Sequence, residues 1–168
     1  MSLLLLLLAC GPSSDDIVRN LQSPNPVVRE DSAKIARNVT TSPEMTSALI
    51  GVLNDPSPRA QQNAIETLVD LQAVEAVPHL CALLENQELS ISIQHSVIDA
   101  LGRLRSPNAV PSLVQYLEND MSNPALDAIW ALGYIGDMSA LDVLSELRMH
   151  SDPYVVHNAT VALRELRP

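Results

Sequence analysis

Five segments of this 168-residue chain repeat one another: SAKIARNV from Ser32, AIETLVDL from Ala64, VIDALGRL from Val97, AIWALGYI from Ala128 and ATVALREL from Ala159. Their starts lie 32, 33, 31 and 31 residues apart. Each places apolar or small residues at the i, i+3, i+4, i+7 spacing of one helical face. Four are preceded by a second apolar helix pattern, TSALIGVL, VPHLCALL, VPSLVQYL and LDVLSEL, and the first by a shorter one, DDIVRNL. Each repeat is therefore a helix pair. A pair of this size cannot bury its apolar face alone, so neighbours must stack, and the expected fold is an all-α solenoid of about five helical hairpins.

Proline supports this division. The segments between the two helices of a repeat are SPNP, NDPSP, NQELS, NDMSNP and HSDP, rich in residues that start turns and set helix entry. Pro43, Pro78, Pro107 and Pro111 fall in linkers or first turns, where a missing N–H costs little.

The motifs VREDSAKIA at Val28, DALGRL at Asp99 and DAIWALGYIG at Asp127 resemble HEAT repeats, especially the short bacterial form also found in phycobilin lyases. The resemblance extends from about Asp15 to the end of the chain and implies a right-handed α-solenoid of HEAT-like hairpins. It says little of function, because one fold serves many. The arginine of the family pattern stands in register only at Arg29; Gln61, Gln94 and Val156 occupy it in other repeats. In the last repeat Thr160 and Arg164 replace residues that are apolar or small in the middle repeats. A terminal repeat needs a wettable face, so the stack is expected to end there.

At the N-terminus an apolar run from Leu3 to Ala9 is too short to span a bilayer but suits the centre of a secretory signal. Leu7-Leu8-Ala9-Cys10 resembles the bacterial lipobox. That resemblance implies a signal peptide over 1–9, a lipid-bearing Cys10 with a tether over 10–14, and a repeat domain over 15–168. The expected address is the bacterial cell envelope, periplasmic or at the outer membrane, and Gly11 is compatible with outer-membrane sorting. An apolar tail without a role in export, or a start codon lying upstream, remains open; without a signal the chain would be cytoplasmic.

The net charge of −10 disfavours nucleic acid, whose binding draws on clustered Lys and Arg. No catalytic motif appears, and His79, His95, His150 and His157 offer no pair at the spacing of two metal ligands on one helix. We expect no catalytic residue, metal or cofactor. Cys81, among leucines, reads as a small core residue.

A helical wheel turns the second helices' positions −5, −1, 2 and 6 away from the core, counting from each motif start. In a HEAT-like stack the second helices line the concave face, so the resemblance implies that these positions form a ladder there, running from polar and acidic to aromatic: Glu66 and Asp70, then Asp99 and Arg103, then Asp127, Trp130 and Tyr134, then Tyr154. We expect a protein or peptide segment to dock there on a monomeric array, anchored by the three rings, with Glu66, Asp70 and Asp99 steering its basic end. Trp130 instead buried sideways between repeats is the competing arrangement. The function read from these features is a non-catalytic, lipid-anchored interaction scaffold. The alternatives are a lyase or lyase-accessory subunit similar to the phycobilin lyases and a purely structural envelope protein.

Overall fold

The computed structural model describes residues 11–86, 88–119 and 125–166, and these hold ten α-helices and no strand. Cys10 and the leader before it lie outside the described residues. The chain divides into two compact units, one up to Leu71 and one from Gln72. The first contains α1 (Ser14–Leu21), α2 (Pro26–Ile35), α3 (Pro43–Val52) and α4 (Pro58–Asp70). The second contains α5 (Val77–Leu84), α6 (Ile91–Leu104), α7 (Val110–Asn119), α8 (Ala125–Ile135), α9 (Leu141–Leu147) and α10 (Pro153–Glu165). The fold is an all-helical repeat solenoid, two helix pairs in the first unit and three in the second.

Helix starts follow the turn chemistry of the sequence. Pro26, Pro43, Pro58 and Pro153 occupy the first turns of α2, α3, α4 and α10, where proline's fixed φ suits a helix. Asn25, Ser42, Ser57 and Asp152 cap these helices by accepting a backbone N–H with their side chains. The core is built from the repeating motif: Ala33, Ile65, Ile98 and Ile129 are each at most 1% exposed, while Thr160 in the same register is half-buried and Arg164 is exposed. Cys81 is buried, and burial pushes its thiol pKa up, as expected of a core residue.

The arginine register has a structural role wherever a hydrogen-bond donor fills it. Arg29 donates through Nε and Nη2 to the two oxygens of Asp55, and through Nη1 to the Ser23 carbonyl at 2.7 Å. Gln61 donates to the Leu53 carbonyl at 2.9 Å and Gln94 to the Leu89 carbonyl at 3.1 Å. In each case a side chain on the second helix satisfies a carbonyl of the turn before it. Only the arginine also braces a carboxylate of the next hairpin.

The seams between second helices differ in kind between the units. In the first, the buried Thr67 hydroxyl donates to the Ala33 carbonyl at 2.7 Å and the Asn63 amide to the Glu30 carbonyl at 2.9 Å. In the second, Gly102 faces Ala131, and Gly133 faces Ala162 so closely that an added Cβ would stand 2.8 Å from the Ala162 backbone. These small residues let α8 lie against both α6 and α10.

Candidate functional site

On α8, Trp130 and Tyr134 stand one helical turn apart, at repeat positions that point out from the core. They are 57% and 43% exposed, so the buried arrangement weighed for Trp130 is not the one observed. Their rings stack, with centroids 5.6 Å apart and planes inclined by 26°. Glycine and alanine in the seams keep the floor low on either side, and the two rings rise from it as a ridge.

A concavity lies on each flank. On the α10 side a space of about 340 Å³ has Gly133, Val161 and Ala162 among its lining, with Arg105, Asn158 and Glu165 as polar members. Glu165 borders Gly136 with its backbone: a Cβ on Gly136 would stand 3.1 Å from the Glu165 carbonyl oxygen. On the α6 side a shallower space of about 710 Å³ is bordered by His95, Ser96, Asp99, Arg103 and Asp127. Trp130 and Tyr134 belong to both.

Arg105 is the member that sequence reasoning missed. It ends α6 with a left-handed backbone, φ 51°, and its guanidinium carbon lies 4.5 Å from the centre of the Tyr134 ring. Gln72 at φ 53° and Gly136 at φ 74° also have left-handed backbones. All three stand eight residues after a motif start, so this is the repeat's own helix stop. The glycine in LGYIG marks that stop, and aligning the other repeats on it would have placed Arg105 beside the rings.

The remaining expected residues are distributed as follows. Glu66 and Asp70 belong to the first unit, where Arg37 pairs with both, at 3.3 and 3.1 Å. Asp99 accepts from Arg103 at 3.4 Å, one turn along α6, and Asp127 pairs with His95 across the α6–α8 seam. The acids expected to steer a basic partner thus each have a partner of their own. Tyr154 is 73% exposed and lines neither concavity, but its carbonyl accepts from the Asn158 amide at 2.8 Å and so orients a residue that lines the α10-side space. Among the described residues no group of three His, Cys, Asp or Glu side chains could hold a metal ion, and no helix is long and apolar enough to cross a membrane.

A family model for HEAT repeats matches residues 14–92 and 87–164. Among solved structures, the chain is similar to one in the complex of CpcE and CpcF of phycocyanin lyase from Nostoc sp. PCC7120, with a TM-score of 0.73 and 22% identity. That match covers 94% of this chain and 66% of the other, so the chain spans slightly less than two thirds of the relative's length. It is also similar to computationally designed armadillo repeat proteins for modular peptide recognition, with a TM-score of 0.63 and 19% identity over 90% of this chain and 81% of that one. No curated protein matches the chain.

Proposed function

The chain belongs to the HEAT-repeat family, and on that premise we propose that it is a non-catalytic interaction scaffold whose second unit holds a segment of a partner protein across the Trp130–Tyr134 ridge. The observation that carries this reading is the exposed stacked pair with a concavity on each flank. Exposed aromatic surface is costly in a soluble chain, and Trp, Tyr and Arg are the residue types that dominate binding hot spots. One fold relative is part of a two-protein complex and another was designed to recognise peptides, uses consistent with this one. The reading includes the address implied by Leu7-Leu8-Ala9-Cys10: a lipid on Cys10 holds the scaffold at a bacterial envelope membrane, a task for which its net charge of −10 is unsuited.

The test is capture from envelope extract by the full chain and by its Trp130→Ala and Tyr134→Ala variants, compared by quantitative mass spectrometry. We expect at least one protein held by the wild type to fall about tenfold or more with each variant, the loss that a hot-spot truncation brings. An identical set on all three baits would end the proposal for this surface, and an unmodified Cys10 on the native protein would end the proposed address. A lyase-accessory role is the second reading, favoured by the likeness to a phycocyanin lyase chain over 94% of this one. Under it, the purified chain would alter the visible absorption of phycocyanin.

A further inference from the structure

We propose that Arg105 receives a carboxylate of the docked segment, so that the site selects an acidic residue flanked by an apolar or aromatic one; this deepens, and rests on, the docking proposed above. The left-handed backbone of Arg105 is the repeat's ordinary helix stop, shared with Gln72 and Gly136. What distinguishes the position is the side chain. A guanidinium over a ring uses its face there and keeps its N–H edge for an acceptor, and that edge matches a carboxylate with two parallel hydrogen bonds.

Among the described residues no carboxylate pairs with Arg105, although the chain has 20 acidic residues to 10 basic ones. Arg29, Arg37 and Arg103 are all engaged by Asp or Glu. Arg105 therefore sits on Tyr134 beside an open space of about 340 Å³, room for roughly one or two side chains at the small end of ligand sites. Val161 and Ala162 give that space an apolar wall, and Trp130 offers its ring to the neighbouring side chain of the segment.

Among the described residues Glu165 is the one acidic residue lining this space, and it opposes an incoming carboxylate. It serves the test as an internal control. On the α6 side Asp99 pairs with Arg103 and Asp127 with His95, so of the arginines lining the two concavities among the described residues Arg105 is the one with no carboxylate against it. Repulsion from the chain's net charge acts at longer range and is largely screened beyond about 8 Å at physiological salt.

The probe is a phage-displayed library of random dodecapeptides, panned on the full chain and on Trp130→Ala, Arg105→Gln and Arg105→Lys, each first checked by circular dichroism for an unchanged helical fold. We expect the wild type to enrich peptides with Asp or Glu next to an aromatic or aliphatic residue. The affinity of a selected peptide should fall about tenfold or more with Arg105→Gln, as for a lost charge-assisted pair. It should fall less with Arg105→Lys, which keeps the charge but not the fork, and rise with Glu165→Gln. Peptides that depend on Trp130 but show no acidic preference, or that bind Arg105→Gln as well as wild type, overturn this inference and leave the docking surface standing. If no peptide distinguishes wild type from Trp130→Ala, the docking reading itself fails and the inference falls with it.

Discussion

The two units join their second helices by opposite means. Between α2 and α4 the contacts are polar: Thr67 and Asn63 donate to backbone carbonyls across the seam, Ser57 donates to the Glu30 carboxylate at 2.6 Å, and Arg37 spans to Glu66 and Asp70. The three buried polar residues among those described, Ser32, Thr46 and Thr67, are all in this unit. Among α6, α8 and α10 the closest approach is between glycine and alanine, with the Asp127–His95 pair the polar contact across the α6–α8 seam. Hydrogen bonds across a seam fix two helices by direction but occupy the polar groups of that surface. Close backbone approach fixes them by shape and does not itself draw on the outward positions. The aromatic ridge stands on the second kind of seam, where positions 2 and 6 of α8 carry Trp130 and Tyr134, both exposed. On α4 of the first unit those positions are Glu66 and Asp70, and both pair with Arg37.

A β-branched side chain placed in the glycine seam is the most severe challenge to this contrast. At Gly133 the obstacle is the Cα and Cβ of Ala162, which cannot swing aside as a flexible side chain could. Gly133→Val should cost about 3 kcal/mol, the upper part of the usual overpacking range. Gly51 is the control in the first unit: it lies within α3 with nothing within 4 Å of an added Cβ. Gly51→Ala should stabilise by about 0.5–1 kcal/mol, the helix preference of alanine over glycine. Denaturant midpoints followed by circular dichroism measure both, and a tolerated Gly133→Val would show that the seam is not held by close approach.

Acid sharpens the comparison from the polar side. The Arg29 side chain hydrogen-bonded to Asp55 holds that carboxyl below its ordinary value of 3.8, helped by the Ser57 N–H and opposed by burial. Because the folded pKa lies below the unfolded one, the stabilisation is fully present above about pH 4 and is lost as pH falls through the folded pKa. Asp55→Asn should lower stability at neutral pH and make the remaining stability less sensitive to acid. Thermal melts at about pH 7 and about pH 3 on both proteins give the answer. Equal acid sensitivity in the two would mean that Asp55 does not link the first unit to pH.

The repeat, its helix pairs and its outward positions were legible because they rest on spacing along one helix. Asp127, Trp130, Tyr134 and Tyr154 are exposed as the wheel implies, since 100° per residue holds within each helix. What spacing could not supply was pairing. The Arg37 bridge to Glu66 and Asp70, and the partnership of His95 with Asp127, depend on rotamers and on how neighbouring helices are offset. Arg105 was missed for a related reason: it lies one residue past the end of α6, where helical periodicity stops and a backbone reversal decides direction. The polar and glycine seams were visible as residue types in register, Thr67 against Ala131, but their meaning required knowing which carbonyl or backbone each would meet.

The smallest expected effect concerns the ridge, and it separates what binds from what holds the stack. If α8 is fixed by Gly102, Gly133 and the buried Leu132, then removing a ring that is 57% exposed should leave folding almost untouched. Trp130→Ala forfeits its stacking on Tyr134 and part of its apolar contact, so the expected loss is under about 1 kcal/mol. A core tryptophan would lose about 3–5 kcal/mol instead. The chain has a single tryptophan, so its fluorescence reports on this ring alone. The unbound protein should emit as a water-exposed indole and be quenched readily by acrylamide, and a docked segment should shift the emission to the blue and protect it. A blue-shifted, unquenched signal without any partner, together with a stability loss of core size, would make Trp130 part of the packing and return the ridge to the seam.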